Sequence, residues 1–184
     1  MEALRGAFLH SSVVFLRMAL IDTGREAQLA RIISDAERQG LGILLYTPGP
    51  VGVPQLGPIH LLLERPGEGW EIGLDLGDAD LALLVAYTLK QNRNQELVLI
   101  ARLDGDTERA QALAYLKSVA ELARIPEAKL LTETPNDEPP ELAPSITVFV
   151  LRLPANVSDL RERATRAASP CLFALDSGRE SALA

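Results

Sequence analysis

The order of apolar segments is the feature that most constrains the fold of this chain. Short runs rich in Val, Ile and Leu alternate with longer segments in which apolar residues recur at helical intervals. Within the runs the apolar residues are continuous, which is typical of strands covered on both faces of a parallel sheet. We therefore expect an α/β protein with a mostly parallel sheet in three layers.

Five of the predicted strands form the main sheet. We expect them all parallel, in the order 129–133, 97–102, 59–64, 146–151 and 171–175, which is 3-2-1-4-5 counted along the chain. Two earlier runs, Ser11–Met18 and Gly42–Tyr46, flank a helical segment and predict an additional N-terminal β-α-β unit. This unit is expected to pack at one edge of the main sheet or to stack alongside it.

The domain organisation follows from a change in composition. Residues 48–58 are dense in Pro and Gly and predict a linker, and their glycines are separated by prolines that lack the N–H groups of a phosphate loop. Residues 1–47 are then either the remnant of a preceding subdomain or the seam to one. Residues 59–176 make up the main α/β domain, and 177–184 form a polar tail.

Composition excludes several classes of function. The net charge of −7 and the aromatic content of 4% argue against a nucleic-acid partner, which needs a basic face and stacking side chains. No run reaches the roughly 18 apolar residues of a membrane span, so we expect no direct membrane insertion. The single cysteine, Cys171, cannot form an internal disulfide and is predicted to be an inert buried thiol.

Few side chains are candidates for chemistry. Asp75, Asp78 and Asp80 could hold Mg²⁺, but they lie where a helix begins, and helix capping is the favoured interpretation. His10 and His60 are the only histidines, and His60 lies in an apolar strand, where we expect it to pack or to hydrogen-bond. The sequence therefore predicts no catalytic residues, no metal site and no cofactor.

The junction 151–160 is the place where many α/β proteins hold a phosphate with glycines. This chain has no glycine there, and Pro154 lacks an N–H group. Asn156 is predicted to cap the following helix, Asp159 would repel an anion, and Arg152 is expected to be solvated or paired. We predict that this junction binds no ATP. The glycine motifs of Rossmann folds, P-loops and α/β-hydrolases are also absent from the chain.

The order and lengths of the segments in residues 59–175 resemble the universal-stress-protein type of α/β fold, with one crossover helix reduced to a loop at 134–144. A closer resemblance covers nearly the whole chain. The pieces "GPIHLLLE", "DADLALLVAYTLKQN", "LVLIARL", "AYLKSVAELARIP", "SITVFVLRLP" and "CLFALDSGRESALA" resemble the C-terminal cytoplasmic domain of prokaryotic cation–chloride cotransporters.

That resemblance implies a non-catalytic cytoplasmic domain of a membrane transporter with a regulatory and assembly role. It implies dimer contacts at the cytoplasmic face and, as a partner, the transmembrane transport domain of the same polypeptide. The broadly apolar helix 78–92 also suggests a homodimer, because such a face needs burial on more than one side. No ion-binding residue can be carried over, because those of the family lie in the membrane part.

Two other classes of function stay open. One is a nucleotide- or small-ligand-binding domain of universal-stress-protein type, which the missing glycines disfavour. The other is an enzyme whose site is assembled across a dimer, which the scarcity of His and Cys disfavours. The polypeptide encoded ahead of Met1 would discriminate between them, since a run of spanning segments there would indicate the transporter.

Overall fold

A computed structural model describes residues 13–18, 26–49, 57–71, 76–134, 137, 144–153, 155–167 and 169–178. These residues form seven strands: β1 (Val13–Arg17), β2 (Gly42–Thr47), β3 (Ile59–Leu63), β4 (Leu97–Arg102), β5 (Lys129–Glu133), β6 (Ile146–Val150) and β7 (Cys171–Leu175). They form four α-helices: α1 (Glu26–Arg38), α2 (Asp80–Arg93), α3 (Arg109–Leu122) and α4 (Val157–Ala167). Most of the predicted linker and of the 134–144 loop lies outside these residues.

All seven strands belong to one sheet with the order β1-β2-β7-β6-β3-β4-β5. The predicted five-stranded parallel sheet is therefore wrong in size and is only part of the observed order. The five strands concerned are consecutive within the sheet and parallel to one another. The N-terminal unit joins them because β2 pairs with β7 in the antiparallel direction, which supplies partners for backbone groups that a free β7 edge would leave unpaired.

Helices α2 and α3 cover one face of the sheet. The core on this side includes Leu61 of β3, Leu99 of β4 and Val148 of β6, all fully buried. Leu84 of α2 and Leu116 of α3 pack onto them. Alternate side chains of the same strands point into a second core on the opposite face. Because both faces are buried, the central strands have continuous apolar sequences.

Helices α1 and α4 cover the opposite face. Phe149 of β6 stacks on Phe173 of β7 with ring centroids 4.9 Å apart, and Ile33 of α1 and Leu160 of α4 close over them. The predicted three-layer arrangement is confirmed by these two cores. Helix α1 ends at Arg38, and Gly40, two residues later, adopts the left-handed conformation with φ of 61° that is typical of a helix C-terminus.

The apolar breadth of α2 has an explanation within the monomer. Every residue from Asp80 to Ala86 is buried, including all six apolar residues 81–86. Helix α2 crosses the middle of the sheet and contacts β3, β4, β6 and β7. This helix therefore needs no partner chain to cover residues 80–86, and the argument from its apolar face to a homodimer was wrong.

Candidate functional site at the carboxyl edge of the sheet

The carboxyl ends of β3 and β6 mark the switch point of the sheet, where the chain leaves neighbouring strands in opposite directions. Ligands of open α/β sheets bind in the crevice at such a point. A crevice of about 180 Å³ lies here. Its polar lining comes from Glu64, Arg152, Asn156, Asp159 and Arg163. This is the candidate site, and it includes the junction singled out in the sequence.

The junction between β6 and α4 is closed by its own side chain. The Oδ1 atom of Asn156 accepts a hydrogen bond from the backbone N–H of Ser158 at 3.0 Å. This confirms the predicted cap of α4 and occupies a donor that an anion would otherwise use. Pro154 lies outside the described residues.

Arg152 is paired inside the protein. Its Nη1 atom donates to the backbone carbonyl of Arg65 at 2.9 Å, and its Nε atom lies 3.4 Å from Oδ2 of Asp78. The Nε atom is buried and lacks hydrogen-bond geometry, so we treat the contact with Asp78 as an ion pair only. The side chain is 35% exposed. Arg152 thus ties the loop after β6 to the loop after β3.

Two further carboxylates hold the loop after β3. Glu64 forms an ion pair with Arg163 of α4. Glu108, directly before α3, accepts from Nη1 of Arg65 at 3.0 Å and from the indole Nε1 of Trp70 at 2.8 Å. The Trp70 ring is buried and lies against Tyr115, with centroids 5.5 Å apart. Sequence reasoning missed Glu108 and Trp70, although a lone tryptophan beside an apolar strand signals a buried anchor with a partner for its N–H.

The cap of α2 comes from the other end of the chain. The backbone N–H of Leu81 donates to Oδ2 of Asp176 at 3.0 Å, and Asp176 directly follows β7. The residue at the N-cap position is Ala79, which provides no side-chain cap, so the predicted capping by the local aspartates is wrong at that position. Asp78 pairs with Arg152, Asp80 is buried, and Asp75 lies outside the described residues.

A short 3₁₀ turn, Asp106–Glu108, precedes α3, and Glu108 takes the N-cap position without a side-chain cap bond.

Two of the remaining candidates, His60 and Cys171, are buried. His60 is 5% exposed, and burial, with a smaller effect from the charge of Lys129, lowers its pKa to about 4. Burial also raises the pKa of the Cys171 thiol to about 12, and its Sγ donates to the carbonyl of Ser169 at 3.2 Å. The predicted burial of this thiol is confirmed. His10 lies outside the described residues.

The side chains at the carboxyl edge connect the loops to one another and leave little room for a large ligand. Ligand pockets for drug-sized molecules span about 300–1,000 Å³, and the crevice of about 180 Å³ is smaller. Arg65, Arg152 and Arg163 each face a carboxylate within the domain. A nucleotide would have to displace these pairs. Within the described ranges, no group of three or more His, Cys, Asp or Glu side chains is placed to hold a metal ion.

No helix among the described residues is both long and apolar enough to cross a membrane.

Several solved structures resemble this fold. The first is the crystal structure of the cytoplasmic domain of a prokaryotic cation chloride cotransporter. Its TM-score is 0.84 at 34% sequence identity, and the match covers 98% of this chain and 70% of that chain. The second is a universal stress protein from Archaeoglobus fulgidus DSM 4304, with a TM-score of 0.50 at 15% identity, covering 94% of this chain and 63% of that chain. The second likeness shows the fold alone.

The sequence comparisons point the same way. No curated protein sequence matches the chain significantly. A family model described as prokaryotic cation-chloride cotransporter, C-terminal domain, 2nd, matches residues 55–183. This match spans most of the chain and agrees with the structural match at 34% identity. The chain therefore belongs to the family of C-terminal domains of prokaryotic cation–chloride cotransporters.

Proposed function

We propose that this chain is the non-catalytic, cytoplasmic regulatory and assembly domain of a cation–chloride cotransporter-like membrane transporter. The family match over residues 55–183 carries the proposal. The carboxyl edge of the sheet supports it, because Arg65, Arg152 and Arg163 there are paired with carboxylates of the same domain.

The proposed partner is the transmembrane transport domain of the same polypeptide, with this chain on the cytoplasmic side of the membrane. In this arrangement residues 1–47 are the remnant of a preceding subdomain or the seam to one, and residues 48–58 link them to the universal-stress-protein-like domain of residues 59–176. Residues 177–184 form the tail. The pairing of β2 with β7 is compatible with this division, since a seam between subdomains can run through a continuous sheet.

A homodimer is part of the proposal and rests on the family alone, since α2 is buried within the monomer. Sedimentation of the chain at micromolar concentration tests it, and a dimer is expected. A strict monomer would mean that this chain does not dimerise by itself, so any assembly role would require the complete transporter.

Deletion of residues 59–178 from the complete transporter tests the proposed function. Reconstituted in proteoliposomes, the shortened protein should still carry out chloride-dependent cation transport, because the ion path lies in the membrane part. Its dimer fraction or the regulation of its transport rate should change. If both the oligomeric state and the transport rate match the intact protein under all ionic conditions, the domain has neither an assembly nor a regulatory role.

The alternative function is binding of a nucleotide or small ligand at the switch point. The crevice beside Arg152 and Arg163 is the observation that favours it, because two guanidinium groups line one small cavity. Binding there would require release of Asp78 and Glu64 from these side chains. A titration with ATP–Mg²⁺ separates the two functions.

A further inference from the structure

Strand β5 lies at the end of the sheet opposite β1, and no strand that the structure describes lies beyond it. Its sequence is Lys-Leu-Leu-Thr-Glu, and none of its five residues is buried. The four strands parallel to it are mostly buried. An edge strand presents backbone N–H and C=O groups to which another strand can add. The outer edge of β5 is therefore a surface on which a further strand can pair.

The backbone of β5 turns alternately towards β4 and towards the open edge. The carbonyl of Glu133 accepts from the N–H of Leu103 at 2.8 Å, so the backbone groups of Glu133 point towards β4. In an extended strand the backbone groups of successive residues point to opposite sides. Those of Leu130 and Thr132 therefore point outwards, to the open edge.

The open edge is closed at both ends by bonds within the chain. The N–H of Thr134 donates to Oδ2 of Asp137 at 2.7 Å. The N–H of Ala128 donates to the carbonyl of Ile125 at 3.0 Å. The two outward-pointing residues between these ends are left to pair with a strand.

These limits fix the register in which a second copy of β5 can pair antiparallel to the first. When Leu130 lies opposite Thr132 of the second copy, the two residues exchange both backbone hydrogen bonds. The two-fold axis then passes beside Leu131. A shift to the next register that brings outward groups together would place Leu130 opposite Thr134, or Thr132 opposite Ala128, whose N–H groups are already bonded.

The same register brings opposite charges together. It places Lys129 opposite Glu133 of the second copy, and Glu133 opposite Lys129. Both side chains lie on one face of the sheet, because side chains alternate along a strand. Neither has an ion-pair partner among the described residues. Opposite charges directly across an antiparallel pair stabilise it, and like charges destabilise it. The strand is therefore complementary to itself.

Helix α3 adds an apolar side chain beside this edge. The Nη1 atom of Arg109, the first residue of α3, donates to Oγ1 of Thr132 at 2.8 Å, which places this side of the helix next to β5. Leu113 lies one turn further along the same side and is 38% exposed. In a two-fold pair of β5 strands, the α3 helices of both copies lie on the same face of the joined sheet. Leu113 is then placed to be covered by the second copy.

We propose that the outer edge of β5, with Leu113 beside it, is the surface through which two copies of this chain pair antiparallel into one continuous sheet. The proposal deepens the proposed function and rests on it for the homodimer, which that function includes without placing the interface. A second copy is the partner that fits, because a two-fold interface requires one surface to be complementary to itself.

Sedimentation equilibrium of the 184-residue chain tests the charge pairs. Lys129→Glu should weaken the dimer by at least about tenfold in Kd, because like charges then meet twice across the axis. Combining Lys129→Glu with Glu133→Lys should restore the wild-type Kd, which also excludes misfolding as the cause of the loss. Arg31→Glu, at an exposed arginine of α1, makes the same change in net charge and should leave the Kd unchanged.

Mixing two single variants gives a second readout. Chains with Lys129→Glu and chains with Glu133→Lys should form heterodimers in preference to either homodimer, because each pair across the axis then joins opposite charges. A wild-type chain that stays monomeric overturns the proposal. A dimer with the same Kd in Lys129→Glu, or a mixture without preference for heterodimers, also overturns it but leaves the homodimer of the proposed function intact through another surface. Failure of the proposed function itself would appear in the deletion experiment on the complete transporter.

Discussion

Glu108 is the residue whose removal should loosen the carboxyl edge most. Its two oxygens accept from Arg65 and from the buried Trp70 indole, so Glu108→Ala leaves an N–H of Trp70 without its partner. We expect a loss of about 1–3 kcal/mol in the free energy of unfolding. The emission of Trp70, the only tryptophan, should shift to longer wavelength, because water reaches the ring.

The control for this experiment lies on the same side of the sheet. Glu121 is exposed on α3 and faces Lys117 at 3.9 Å, and exposed pairs of this kind contribute less than about 1 kcal/mol. Glu121→Ala should leave both stability and emission nearly unchanged. If the two variants behave alike, the Glu108 contacts do not hold the loop.

His60 predicts a pH dependence of stability. Its pKa in the folded protein is lowered to about 4 by burial, whereas the unfolded chain titrates near 6.5. Between these values the unfolded state binds the proton and the folded state does not, so stability rises with pH across this window and is constant above it. The wild type should lose up to about 3 kcal/mol from pH 7 to pH 4 beyond the loss of His60→Gln. Equal losses in chemical denaturation would show that His60 does not titrate this way.

At the scale of elements, the cap of α4 can be tested directly. Asn156→Ala removes the acceptor for the N–H of Ser158 and should destabilise the domain by about 1 kcal/mol. Asn156→Ser restores an acceptor of similar reach and should recover most of the loss. Thermal melts of the three proteins suffice, and a serine variant as unstable as the alanine variant would refute the capping role.

The caps also show what local sequence can predict. The capping role of Asn156 was identifiable because its Oδ1 accepts from the N–H of Ser158, only two residues along the chain. A short polar side chain directly before an apolar helix is a local signal for such a cap. The cap of α2 was not identifiable, because Asp176 lies 95 residues from Leu81. Aspartates at the start of a helix cap it only when no carboxylate from elsewhere in the chain accepts from the same backbone N–H groups.

Across the domain, the sequence predicted the strands, the helices and the layers but not the size of the sheet. Apolar runs in β2 and β7 indicate that both are buried strands, yet they carry no information on the direction in which the two pair. The inference from helix α2 to a homodimer failed for a related reason. Its apolar breadth required burial on several sides, and the pattern cannot distinguish cover from the same chain from cover by a second one.

We propose that the carboxyl edge of the sheet is a closed, ion-paired scaffold and not a nucleotide site. Calorimetric titration of the chain with ATP–Mg²⁺ tests this proposal, with Arg152→Ala as the comparison, since Arg152 lines the crevice. We expect no saturable heat for either protein. Saturable binding tighter than about 100 μM, or roughly −5.5 kcal/mol, that is lost in Arg152→Ala would contradict the account and establish the switch point as a ligand site.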